Sequence, residues 1–281
     1  MMNIGSFFSL FILFLQQGSV VQSSVQEFNH ASAVTVYRDD FLIIDRQAGE
    51  IVLLDKMNQR KKQIGGIGWG NYEFDNPSDV WSSFLLEVYV TDQNNRRIQK
   101  YDKSLNYIQT IDENSITKLQ GRFFPIASAT SSLGDLFVVE TDGHRVIKIN
   151  QRGVYEKEFG TYRDGIGALE SPIDITITDN DEICVLDKNS VKEYDRFGNV
   201  IKMIPLPGST SWNRIQSSGE QLIVASPDSI LIYHLDTSDS ELIPKSSLLG
   251  VDQKEEIQDA VLTTKNLLVL TPTTLYRCSI P

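Results

Sequence analysis

Short apolar runs, each closed by an acid and a turn, recur along this chain at nearly constant spacing. FLIID at residues 41–45 is followed by VYVTD at 88–92, LFVVE at 136–140 and ICVLD at 183–187. The closing acids lie 47, 48 and 47 residues apart (92 − 45, 140 − 92 and 187 − 140). LIVA at 222–225 and LLVL at 267–270 keep the run and lose the acid, which makes six units. Continuous apolar runs of this length, rich in β-branched residues and bounded by Gly, Asn and Asp, read as strands covered on both faces.

Each run has neighbours with a different pattern. The segments that follow it, IVLLD at 51–55, IQKYD at 98–102, VIKIN at 146–150 and VKEYD at 191–195, alternate more and read as half-buried strands. A fourth, more polar strand is expected at 105–111, 154–159 and 200–204. Four strands in about 40–50 residues, repeated six times, predict an all-β chain folded as a six-bladed β-propeller with four-stranded antiparallel blades. The sixth unit holds three strands, at 257–263, 267–270 and 275–280, so one is missing. The segment Val25-Gln26-Glu27-Phe28 upstream of the first unit is expected to supply it, closing the ring and removing an exposed edge, with blade one starting near His30.

The stretch from Phe74 to Val80, FDNPSDV, followed by VYVTDQNNRRIQKYD at 88–102, resembles an NHL repeat. A second copy runs through 125–150, with Glu140, Gly143 and Arg145 standing where Asp, Asn and Arg stand in the copy before it, and a third through 172–195 with a shortened turn. The Gly-rich connectors GGIGWG at 65–70 and GTYRDGIG at 160–167 look like that family's links between blades. The resemblance covers residues 30–205 and implies an exported bacterial propeller of the NHL type.

Residues 4–15 form an apolar run broken by Gly5, Ser6 and Ser9, and Val21-Gln22-Ser23 offers the small residues of a cleavage site. A run of about 12 residues is too short to span a membrane and reads as a signal-peptide core. The expected division is a signal peptide over 1–23 and one propeller domain over 24–281, with export to a periplasm or the extracellular space and no transmembrane span after signal removal. The chain carries 26 Lys and Arg against 37 Asp and Glu, a formal net charge of −11. That balance disfavours nucleic acid. Cys184 and Cys278 fall in different units, two blades apart, and are expected as buried structural thiols.

Candidate chemistry gathers where each innermost strand enters the channel. One residue per blade is expected there: Ser32, Asp79, Ala127, Asp174, Arg214 and Asp259. Three carboxylates around one mouth suit Ca²⁺, which takes several oxygen ligands. The alternative is that each Asp bonds the backbone near its own turn while Arg214 neutralises the ring. Six-bladed metal-dependent lactonases use a Glu, Asn and Asp set, but here blade one opens with His30-Ala31-Ser32 and blade three with Ile126-Ala127-Ser128. His30, His144 and His234 lie at unrelated places in their units, so they are not expected to converge on zinc. Asp92, Asn95 and Arg97 have repeat partners in Glu140, Gly143 and Arg145, which marks them as hairpin ties. Trp69 and Trp212 are interface candidates and Trp81 a core residue. The expected function is that of a monomeric, noncatalytic binding or scaffold propeller for a protein, peptide or glycan, without a required cofactor. The alternative is a Ca²⁺-dependent hydrolase or lyase at the channel.

Overall fold

In a computed structural model that describes residues 19–26, 28–83, 85–208 and 211–279, the chain forms six four-stranded antiparallel sheets. A first strand, β1 (Val21–Gln26), stands apart from its sequence neighbours. Blade one is β2 (Ala31–Tyr37), β3 (Asp40–Asp45), β4 (Glu50–Leu54) and β5 (Arg60–Gly65). Blade two is β6 (Pro77–Ser82), β7 (Val88–Asp92), β8 (Arg97–Tyr101) and β9 (Tyr107–Ile111). Blade three is β10 (Pro125–Thr130), β11 (Leu136–Glu140), β12 (Arg145–Ile149) and β13 (Tyr155–Phe159). Blade four is β14 (Pro172–Ile177), β15 (Ile183–Asp187), β16 (Ser190–Tyr194) and β17 (Val200–Pro205). Blade five is β18 (Arg214–Ser218), β19 (Gln221–Ala225), β20 (Ser229–His234) and β21 (Ser240–Pro244). Blade six is β22 (Asp259–Leu262), β23 (Asn266–Leu270) and β24 (Thr274–Ser279), completed by β1.

The ring closes as expected in kind, with the closing strand starting four residues earlier. β1 pairs antiparallel to β24, from Val21 opposite Cys278 to Gln26 opposite Thr274. Phe28 is not in the strand; it is buried between blades six and one, where an aromatic ring contributes more than it would at a sheet edge. The apolar signal-peptide run lies outside the described residues. Cleavage near Ser23 would fall inside β1 and take Val21 and Ser23 away from Cys278 and Arg277. Among the described residues no helix is long and apolar enough to cross a membrane.

The apolar runs are continuous because each interior strand is shared by two interfaces. Leu42 and Ile44 of β3 pack with Val80, Val88 and Tyr101 of blade two, while Phe41 and Ile43 pack with Val261, Leu268 and Leu275 of blade six. The other four apolar clusters fill the remaining four interfaces, so the core is a set of wedges between blades. Emptying one wedge position, for example by Phe137→Ala, is expected to cost about 3–5 kcal/mol. Cys184 and Cys278 are buried and free, in blades four and six.

Blades one to four differ from blades five and six at the start of the innermost strand. In blades one to four the innermost strand carries a bulge at its start, between Ala31 and Ala33, Pro77 and Asp79, Pro125 and Ala127, and Pro172 and Asp174. Just upstream of three of these strands the repeat acid takes main-chain amides: Asp45 those of Asn29 and His30 (2.7 and 3.0 Å), Asp92 that of Asp75 (2.7 Å), and Asp187 those of Glu170 and Ser171 (3.0 and 2.6 Å), whereas Glu140 of blade three accepts the amide of Gly143 at 3.0 Å. In blades five and six the register runs through without a bulge. There the amides of Asn213 and Gln258 bond the carbonyls of Ala225 and Leu270 directly, at 2.9 and 2.8 Å. An acid at Ala225 or Leu270 would have no amide to serve.

Candidate functional site at the central channel

Asp79, Asp174 and Asp259 open the innermost strands of alternate blades, two, four and six, and each reaches the next blade. Asp79 Oδ2 accepts the amide of Ser128 at 3.0 Å, Asp174 Oδ2 that of Ile215 at 2.9 Å, and Asp259 Oδ2 that of Val34 at 2.9 Å. Asp174 and Asp259 also accept the amide of the following residue on their own strand, at 2.9 and 2.7 Å. The three carboxylates are therefore a pseudo-threefold set of inter-blade ties. Asp174 and Asp259 thus bond their own strand as well, Asp79 only the next blade, and the bond to the next blade is a feature that a single repeat does not reveal.

Arg214 opens blade five and crosses the channel to the far side. Its Nε and one terminal nitrogen donate to the Ser32 carbonyl at 3.2 and 3.1 Å, and the same terminal nitrogen donates to the Ser78 carbonyl at 2.5 Å. The other terminal nitrogen faces Asp174 Oδ1 at 3.9 Å. Ser32 is thus at the hub through its carbonyl. Its place in the repeat is that of Ser78, because Ala33 faces Ile44 as Asp79 faces Thr91; the hairpin between those partners is one residue shorter in blade one. Ala127 faces Val139 in the equivalent position and brings no polar group.

Burial dominates the electrostatics of this hub. It pushes the Asp259 carboxyl up to about 7, with Asp174 adding to the rise while Arg214 and the amides of Val34 and Ala260 oppose it. Asp79 and Asp174 are raised for the same first reason, again opposed by Arg214. Burial alone would lower Arg214, but the three carboxylates outweigh it and raise it. One guanidinium offsets the three acids only in part, and the acids' oxygens are turned to main-chain donors.

The hub divides the channel into two cups. The entrance cup, about 360 Å³, takes a residue from every blade, including Arg46, Gln93, Thr141, Asn213, Arg214 and Gln258. Three polar atoms that line it are buried without a partner: Ser32 Oγ, Arg46 Nε and Asn213 Oδ1. Burial, and then the charge of Arg214, lower the Arg46 guanidinium to about 10. Sequence reasoning passed over Arg46, Asn213 and Gln258. One signal was present: Arg46, Gln93 and Thr141 each directly follow the acid of their repeat. The exit cup, about 610 Å³, lies at the other end of the innermost strands.

The remaining candidates separate. Trp212 was expected at an interface and is instead core: it is 2% exposed, packed with Leu186, Ile204 and Leu222 between blades four and five. Its position one turn before β18 points an indole into the wedge, where its large apolar area is covered. Trp69 is 70% exposed on its connector, whose carbonyls Arg97 holds at 2.7–3.0 Å. Trp81 is half-buried, with its indole N–H on Thr130 Oγ1 at 3.0 Å. Asp92, Asn95 and Arg97 form a buried tie, with Asn95 and Arg97 both donating to Asp92 Oδ2 at 2.8 Å. Among the described residues no three His, Cys, Asp or Glu side chains gather as a metal-holding group, the three hub aspartates included. His30 and His144 are exposed in blades one and three, and His234 is in blade five beside Gln221.

The class of protein defined here is a closed six-bladed β-propeller with a polar hub. No protein-family model matches the sequence, and no curated protein matches it. Among solved structures, the fold is similar to virginiamycin B lyase from Staphylococcus aureus, with a TM-score of 0.65, 11% identity, 92% of this chain and 99% of that chain covered. A catalytically inactive histidine variant of that lyase, solved with quinupristin, gives a TM-score of 0.63 at 13% identity over 89% of this chain and 80% of that one. A streptogramin B lyase gives 0.62 at 14% identity over 94% and 86%. At these identities the likeness is one of fold.

Proposed function

We propose that this chain is a noncatalytic, monomeric binding propeller of the NHL type, exported to the bacterial envelope or secreted space, which recognises a protein, peptide or glycan at the entrance cup and its loops. One observation carries the reading. All six blades contribute to the cup, and Ser32 Oγ, Arg46 Nε and Asn213 Oδ1 line it, buried and unpartnered. Buried polar groups ordinarily have partners, so unpartnered ones around a shared concavity mark a place for a ligand's own donors and acceptors. The hub beneath is engaged in holding blades together, which supports binding over chemistry at the floor of the cup.

The test is a peptide and glycan array probed with the exported chain and with an Arg46→Ala/Asn213→Ala variant. Ligands retained by the parent and lost by the variant support the reading; ligands retained equally by both place recognition elsewhere. The lyase-like fold motivates one competing measurement, turnover of quinupristin followed by mass spectrometry, together with a calorimetric Ca²⁺ titration of metal-stripped protein and an Asp174→Ala control. Turnover, or saturable heat that vanishes in the control, would replace the binding reading with the hydrolase or lyase alternative at Asp79, Asp174 and Asp259.

A further inference from the structure

The exit cup has a character that the acidic chain as a whole does not. Arg38, Lys56, Lys265 and Arg277 line it against one acid, Asp39, in a protein of net charge −11. Among the described residues none of these four cations is in an ion pair. Unpaired cations collected around a concavity focus the local potential and attract anions. Arg277 is the fixed member. Its guanidinium lies over the Phe41 ring at 5.2 Å, one terminal nitrogen donates to Asn58 Oδ1 at 3.0 Å, and its Nε is buried without a partner.

Two further features point the same way. Arg38 sits at φ 60° in the two-residue turn between β2 and β3, a left-handed position that Gly or Asn fills more easily. The chain nevertheless carries a cation there, at the rim. The wall of the cup is apolar and aromatic, with Trp81, Val36 and Leu262, and it is also lined by Ser218 and by Gln216, whose amide donates to the Val34 carbonyl at 3.2 Å and to Asp259 Oδ2 at 3.4 Å. Ser217 Oγ is buried and unpartnered. The Trp81 indole N–H is already held by Thr130, so the ring lines the cup as an apolar surface.

Several cations around an aromatic wall, with neutral polar side chains beside it, match a ring-shaped, hydroxylated ligand that carries repeated negative charge. We infer that the exit cup binds an anionic saccharide, a sugar chain bearing carboxylate or sulfate groups. Arg277 and Arg38 take the anionic groups, for which the guanidinium fork is suited. Trp81 receives the face of a sugar ring. This site is at the opposite end of the channel from the entrance cup, and it stands independently of the function proposed for that cup.

The test measures binding by the whole chain of a sulfated hexasaccharide, a hexagalacturonate, neutral maltohexaose and ATP. At least one acidic saccharide is expected to bind saturably, with affinity falling as salt rises from about 20 to about 200 mM. Arg38→Glu/Lys265→Glu, two exposed positions, is expected to weaken it at least about tenfold with the thermal midpoint unchanged, and Arg277→Ala to weaken it as much. Arg46→Ala, at the other cup, is expected to leave it unchanged. Preference between the two acidic probes identifies sulfate or carboxylate as the group read. The inference is overturned if neither acidic saccharide binds, if maltohexaose or ATP binds as tightly, or if the Arg38→Glu/Lys265→Glu variant binds like the parent.

Discussion

Two sets of buried acids hold this propeller together, and they differ in where their counter-charge comes from. In the hairpin ties, Asp92, Glu140 and Asp187 each meet a cation five residues on, Arg97, Arg145 and Lys192, at 2.8, 3.0 and 2.8 Å. In the hub, Asp79, Asp174 and Asp259 share the one guanidinium of Arg214, and its nearest carboxylate oxygen is 3.9 Å away. The ties are neutral within one blade. The hub is compensated only when blades two, four, five and six are in place, so its charge balance is a property of the closed ring. Burying a carboxylate is tolerated where partners surround it, and the two sets reach that condition by local and by long-range means.

The sharpest way to break the comparison is Arg97→Met. It strips Asp92 of its cation and removes the donors that hold the carbonyls of Trp69, Gly70 and Glu73, so a loss of about 3–5 kcal/mol in urea unfolding is expected, with little dependence on salt. A loss under about 1 kcal/mol would mean that the hairpin and connector hold without the tie. Arg214→Met comes next. It leaves three buried carboxylates without a cation, and about 3 kcal/mol should be lost at pH 8, much less at pH 5 where the acids take up protons.

Asp259→Asn removes the titrating group instead of its counter-charge. The folded-state value of Asp259 is raised to about 7, above the ordinary carboxylate range, so the native state holds a proton that the unfolded chain releases. The corresponding stability is present below the unfolded value and is lost as pH rises towards 7. Both Asp259 oxygens accept main-chain N–H groups and an amide nitrogen cannot, so the variant should be less stable than the parent by about 1–3 kcal/mol near pH 4, with that deficit shrinking as pH rises to 8, as read from urea midpoints across pH. Parallel pH profiles for the two proteins would show that the buried ring is not the source of the pH dependence. The smallest effect is expected for Asn95→Ala, about 1 kcal/mol, because Arg97 and the Asp75 amide still hold Asp92.

How much of this was legible follows from the same distinction. The marker runs, their spacing and the missing sixth-blade strand were readable because a propeller repeats local patterns, and a strand buried on both faces must be apolar throughout. The tie role of Asp92, Asn95 and Arg97 was readable because their partners recur in register in blade three. The loss of the acid in blades five and six has no explanation in the sequence; it accompanies the loss of the bulge, which only strand register displays. Ser32 was placed one residue out because the β2–β3 hairpin is one residue shorter between equivalent partners than its counterpart in blade two. Trp212 was misread because a tryptophan in a connector gives no sign of whether it turns outward or into a wedge.

By itself, then, the sequence determined the repeat, the strand periodicity, the closure of the ring and the ties whose partners lie within a few residues, since these depend on contacts short enough to leave a pattern along the chain. Only the tertiary structure decided that three aspartates each seize the next blade's amide, that Arg214 spans the channel to Ser32 and Ser78, and that unpaired cations meet at the exit. Arg214 and Ser32 are 182 residues apart. Contacts at such separations follow from how six twisted sheets pack around one axis, and no local pattern encodes which side chains that axis brings together.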